Sequence, residues 1–174
     1  MNEVLKALRE RRSCRAFKPD MPGKEDIAAI IEAGLYAPSG MNKQAAIILA
    51  VTDKKMRDKL SDDNRKVGGW GEGFDPFYGA PVILVVLADK SVRTSLYDGS
   101  LVMQNLMLAA HSLGLASIWI HRAKEEFETD EYKKLLSDLG VRGDWEGVGH
   151  CAIGYAAGPA AKPAERKQGR VYYI

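Results

Sequence analysis

The chain has 174 residues, with 25 basic against 23 acidic side chains and a formal net charge of +2. Its 46% hydrophobic and 28% charged content sits near the averages of soluble globular domains, which excludes disorder, collagen-like repetition and a disulfide scaffold. A chain of about 150 residues buries roughly 70% of its unfolded surface, so a single domain spanning 1–174 is expected without a metal or disulfide staple. So small a net charge gives no general reason to expect nucleic acid or an anionic membrane as partner.

The first segment, Asn2 to Arg12, places Val4, Leu5 and Leu8 at helical spacing. Pro19 and Pro22 then force an extended or turning connection. A second helix is expected from about Glu25 to Tyr36, with Ile27, Ile30, Ile31 and Leu35 as its apolar stripe. Turn formers Pro38, Ser39, Gly40 and Asn42 follow, and Ala46 to Val51 reads as a buried strand. Asp53 caps a short helix to Leu60, and the glycine-rich stretch 61–80 reads as irregular. Pro81 to Ala88 is the clearest strand, apolar throughout and therefore buried on both faces. Leu96 to Leu113 is a central helix, and Leu115 to His121 a third strand. Thr129 caps a helix ending near Gly140, Val148 to Tyr155 is a fourth strand, and the chain closes on an extended RVYYI. Two helices precede the first strand, so an α+β sandwich is expected, with a mixed sheet flanked by helices.

Cys14 and Cys151 form no CxxC pair, which argues against a disulfide framework or a zinc site. The N-terminal segment lacks the apolar core of a secretory signal, and the longest apolar run, Ala80 to Ala88, is far short of a membrane span. A cytoplasmic protein with no resident metal is expected.

Charge is concentrated at the two ends. Residues 9–18 carry five basic side chains and one acid, and residues 162–170 carry four and one. Arg11, Arg12, Ser13 and Arg15 put four donor side chains within five residues, suited to bidentate phosphate binding or to a solvated basic turn. The loop Ala37 to Gln44 offers a hydroxyl and two amides that can read a heterocycle, or that simply connect helix to strand. Gln104 and Asn105 interrupt an apolar helix, as a structural hydrogen-bond node or as ligands. Ser117, Ile118 and Trp119 can present backbone N–H groups to a ligand or pack in the core. Arg166 and Lys167 follow a Gly/Pro stretch and can close a phosphate site or remain solvated. His111, His121 and His150 read as packing or surface histidines.

Taken in order, RRSxRxF (Arg11–Phe17), APSGxNxQ (Ala37–Gln44), APV before the buried strand, GLxSxW (Gly114–Trp119) and IGY before a basic tail resemble the nitroreductase family. The resemblance runs from Arg11 to about Lys167. It implies a nitroreductase-like α/β sandwich with a mixed, mainly antiparallel sheet, completed by homodimerisation, and FMN as cofactor with NAD(P)H as transient co-substrate. By that resemblance Arg11, Arg12 and Ser13 contact the phosphate and ribityl chain. Arg15 lies near flavin N1/O2, where a cation stabilises reduced flavin and so acts in catalysis. Arg166 and Lys167 complete the phosphate site. Pro38, Ser39, Gly40 and Asn42 reach the flavin of the partner subunit, and Gln104, Ser117, Ile118 and Trp119 line the ring.

The implied activity is ping-pong hydride transfer from NAD(P)H through flavin N5 to nitroaromatic, quinone or similar planar acceptors. The alternatives are a flavin-sequestering protein with little turnover and an anion- or nucleic-acid-associated protein. Two departures stand out. The family motif NxQPW or NxQPF is Asn42-Lys43-Gln44-Ala45-Ala46 here, and residues 61–80, with Trp70, Phe74, Phe77 and Tyr78, read equally as a lid for flat substrates or a poorly ordered loop. No GxGxxG occurs, so no Rossmann site for nicotinamide is expected.

Overall fold

The computed structural model describes residues 1–174. The elements run α1 (Glu3–Glu10), α2 (Lys24–Leu35), β1 (Ala46–Val51), α3 (Lys54–Gly68), β2 (Val82–Asp89), α4 (Ser95–Ser112), β3 (Ala116–Ile120), α5 (Ala123–Phe127), α6 (Asp130–Asp138) and β4 (Trp145–Gly154). The strands form one sheet in the order β1-β2-β4-β3, every ladder antiparallel. The parallel component of the expected mixed sheet is a single bridge, Ser13 to Ser117, which lays the Arg11–Arg15 segment against edge strand β3.

Strand β2 explains the layering. Its residues are buried in continuous succession because alternate side chains enter two cores. Ile83, Val85 and Leu87 join Leu60, Phe77 and Phe127 on one face, beneath α3, α5 and α6. Val82, Leu84 and Val86 join Ile30, Met103 and Leu106 on the other, beneath α4 and α2. No helix is long and apolar enough to cross a membrane.

Three elements differ from the expectation. Strand β1, expected to be buried, is an edge of the sheet, and its residues are half-buried or exposed. Helix α3 continues past Leu60 to Gly68. Its second half has no broad apolar stripe and is held by charge pairs one turn apart, Lys59 with Asp63 at 2.6 Å and Lys66 with Asp62 at 2.5 Å, a device that hydrophobic periodicity does not report. Gly69 then takes the left-handed conformation that ends it. The five-residue α5 is too short to show a period. It is called into being by tertiary packing against β4, where Gly147 leaves no room for a Cβ, which would lie 2.1 Å from the Ala123 carbonyl carbon.

Residues 61–80, read equally as a lid or a loop, contribute no residue to the cavity described below. Phe77 is wholly buried and packs against the His150 ring at 5.2 Å. Trp70 lies under the Arg122 guanidinium at 4.1 Å, and Phe74 and Tyr78 extend the same aromatic row. Asp75 organises this segment: it binds Arg57 and accepts from Ser61 Oγ at 2.6 Å, Phe77 N at 2.9 Å and Gly79 N at 2.8 Å. The Tyr78 carbonyl in turn accepts from Phe17 N at 3.1 Å, so the segment braces the basic turn.

Candidate functional site

Helix α1 ends at Glu10, and the chain turns extended. Arg12 folds back on the helix end, donating from Nη1 to the carbonyls of Arg9 at 2.8 Å and Arg11 at 2.6 Å, which satisfies C-terminal acceptors that the helix itself cannot. Cys14 N then donates to Ser117 O at 3.0 Å, and Lys18 N to Tyr155 O at 2.8 Å, pinning the basic turn between β3 and the end of β4.

This turn forms one wall of a cavity of about 600 Å³, within the range of small-molecule and cofactor sites. Arg11, Arg12, Ser13 and Arg15 line it, facing Ser117 and the α4–β3 turn. Two features give it the character of an anion site. Arg11 Nη1 and Arg12 Nε are shielded from solvent yet have no hydrogen-bond partner. Burial lowers the pKa of Arg11 from its ordinary value, and the neighbouring charge of Arg12 lowers it further. Burial also pushes the Cys151 thiol up to about 12, so it remains neutral beside Arg11. Native proteins seldom leave buried donors unpaired without a use.

The other expected residues are placed less uniformly. Pro38 and Ser39 line a separate small depression, of about 80 Å³, together with Asp98 and Val102. Gly40 and Asn42 form a single 3-10 turn beside it. Gln104 is half-buried on α4, whereas Asn105 is a structural node, donating to Ala33 O on α2 at 2.9 Å. Ile118 points into the core under α3 and α5, and Trp119 packs on the α4 side, stacked on His121 at 5.6 Å with Nε1 unpartnered. Arg166 and Lys167 are exposed and outside the cavity wall. Their neighbours Gly158 to Ala161 line it instead.

Glu10 and His111 also line the cavity, and sequence reasoning missed both. Glu10 adjoins the basic run and was legible from position. His111 was not, because only the packing of α4 on the sheet brings its last turn to the cavity that Arg11 lines. Cys14 lines the wall too, donating from Sγ to Ala16 O at 3.1 Å.

Comparisons with known proteins identify the family. A family model described as the nitroreductase family matches residues 8–68 and 70–155. A nitroreductase with bound FMN from Bacteroides fragilis NCTC 9343 superposes with a TM-score of 0.90 at 30% identity, covering 100% of both chains. One from Desulfitobacterium hafniense DCB-2, also with bound FMN, gives 0.88 at 30% identity, over 100% of this chain and 99% of its own. A Bacillus subtilis FMN reductase [NAD(P)H] is 29% identical over an alignment of 140 residues, with 68% of this chain and 53% of the relative covered. The match of a family model from end to end of the folded core, on a fold shared at this closeness, places the chain in the nitroreductase family.

Proposed function

We propose that this protein is an FMN-dependent NAD(P)H oxidoreductase that reduces planar acceptors such as quinones and nitroaromatics, working as one domain, 1–174, in a homodimer. The observation that carries the reading is the cavity wall itself: two buried arginine nitrogens without partners, on a turn that also offers Ser13, in a space sized for a cofactor. These donors fit a phosphomonoester. When bound, FMN supplies the hydride-accepting and hydride-donating ring. The chain supplies the rest: Arg11, Arg12 and Ser13 grip the phosphate end, and Arg15, exposed at the same wall, offers a fixed cation to the negative charge that develops on reduction. In this reading the tail carrying Arg166 and Lys167 folds over the phosphate once the anion is present.

The homodimer is supported by uncovered apolar surface. Helix α1 has no buried residue, and Val4, Leu5 and Leu8 are all exposed. Leu96, Tyr97 and Leu101 on α4 are exposed as well, and so are Tyr172, Tyr173 and Ile174. Exposed apolar side chains in this number are the kind of surface that a second copy would cover. Since Pro38, Ser39, Gly40 and Asn42 stand apart from the cavity of their own chain, they serve the cofactor of the second copy, while Gln104, Ser117, Ile118 and Trp119 support the ring through backbone groups and packing.

Purified protein incubated with FMN and freed of excess is expected to carry flavin absorbance that NADH or NADPH bleaches anaerobically and that a quinone restores. Protein that retains no flavin sinks the proposal, whereas retained flavin that neither nicotinamide bleaches points to a sequestering role.

A further inference from the structure

The loop between α2 and β1 is strained. Met41, Asn42 and Gln44 adopt φ values of 51°, 55° and 49°, left-handed backbone that non-glycine residues avoid. Side-chain packing does not hold Met41 there, since it is 89% exposed. Within the loop, Gln44 N donates to Ser39 Oγ at 2.9 Å, and Gln44 Nε2 to Asn42 Oδ1 at 3.3 Å. One long-range polar anchor ties the loop to the body: Gly40 N donates to Asp98 Oδ1 at 3.0 Å. Asp98, in the first turn of α4, is only 5% exposed and has no cationic partner. Its second oxygen accepts from Thr94 Oγ1 at 3.1 Å. The approach is close enough that a Cβ on Gly40 would fall 2.4 Å from Thr94 Oγ1. A buried carboxylate without a counter-ion is costly, and strained backbone persists only where its surroundings over-determine it. Here both meet at one hydrogen bond.

We propose that Asp98 is a positioning residue: through the Gly40 N–H it holds the strained Ser39–Gln44 loop in the shape that presents Ser39, Gly40 and Asn42 to the flavin bound by a second copy. This rests on the assignment of that loop to the partner's site. Asp98 itself touches neither cofactor nor substrate. It acts because its side-chain oxygen, buried away from water and steadied by Thr94, offers the Gly40 N–H one fixed acceptor at 3.0 Å, so the loop is rigid before the second chain and the cofactor meet it.

The test uses Asp98→Ala, Asp98→Asn and Thr94→Val in the full chain. The first readout needs no cofactor: amide hydrogen exchange over residues 39–44 in flavin-free protein. Asp98→Ala is expected to speed exchange there at least tenfold with the sheet unaffected, and Asp98→Asn, whose side-chain oxygen still accepts from Gly40 N–H, to stay within threefold of the parent. The second readout is taken on FMN-loaded protein: Asp98→Ala lowers kcat/KM for the nicotinamide about tenfold and alters the visible circular dichroism of the flavin, while Asp98→Asn restores both. Unchanged loop exchange in Asp98→Ala overturns the proposal. So does accelerated exchange with unchanged kinetics and dichroism. If Asp98→Ala does not fold, Thr94→Val, which removes one of the two bonds that orient the carboxylate, carries the test with a smaller expected change, and parent-like exchange in it overturns the proposal. If the parent retains no FMN, the proposed function falls and the exchange measurement still decides whether Asp98 holds the loop.

Discussion

Replacing Arg11 by methionine separates a binding residue from a structural one. In the ligand-free protein Arg11 Nη1 is buried without a partner, and desolvation disfavours its charge. A buried unsatisfied donor costs about 1–3 kcal/mol. Arg11→Met keeps the apolar stem and removes that cost, so the flavin-free variant is expected to melt no lower than the parent. The loss appears on binding. A hydrogen bond from a charged group contributes about 1.5–3 kcal/mol, which corresponds to a rise in the FMN dissociation constant of roughly 10- to 150-fold. A hundredfold loss removes about 2.7 kcal/mol of ligand stabilisation at saturating flavin, which for a chain of this size is about 5–11 °C of the FMN-dependent rise in melting temperature. Thermal melts with and without FMN, together with a flavin-fluorescence titration, measure both quantities. A variant that melts several degrees lower without flavin, yet binds FMN within threefold of the parent, would refute the reasoning and make Arg11 a packing residue.

Arg15→Ala is expected to slow anaerobic flavin reduction about tenfold or more while leaving FMN retention near the parent level, since Arg15 is exposed at the wall rather than buried within it; equal FMN loss in the Arg11 and Arg15 variants contradicts that division. Asp75→Asn is expected to cost about 2 kcal/mol. Burial opposes ionisation of Asp75, but Arg57, Ser61 and the N–H groups of Gly79 and Phe77 outweigh it and hold the carboxyl below the usual range. Because the folded pKa is depressed, this contribution is complete above the unfolded value of about 3.9 and is lost as pH falls through the folded one. The difference in urea midpoint between parent and Asp75→Asn therefore holds from pH 7 to about 5 and narrows below about 4, and a constant difference down to pH 3 contradicts the assignment. Gly147→Ala places a Cβ 2.1–2.4 Å from backbone atoms of Ala123 and Lys124, which cannot rotate away. Overpacking of about 1–3 kcal/mol lowers the melting temperature by roughly 2–12 °C, with parent-like melting as the contrary result.

The sequence by itself determined the elements whose signals are local. The unbroken apolar run of β2 was legible because a strand buried on both faces writes its burial into consecutive side chains, whereas the equally apolar β1 was legible as a strand but not as the half-buried sheet edge it forms. The caps Asp53 and Thr129 each accept from the backbone of the first turn, as those residue types at helix starts should. The order of short motifs was enough for the family. What the sequence did not carry was anything written in charge or in distance. The second half of α3 is held by ion pairs, and α5 exists because β4 offers it a glycine to pack on.

At the site, the Arg11–Ser13 turn and Ser117 are drawn together by one backbone bridge. His111 and Gly158 to Ala161 join the cavity from positions some hundred residues or more along the chain from Arg11. The aromatic segment after α3, which composition alone left open between lid and loop, is fastened to α3 by Asp75 and to the β3–α5 turn by Arg122. Only the tertiary structure decided these points, because a sequence fixes which donors and carboxylates exist, whereas their partners, burial and strain are set by which elements the two cores press together.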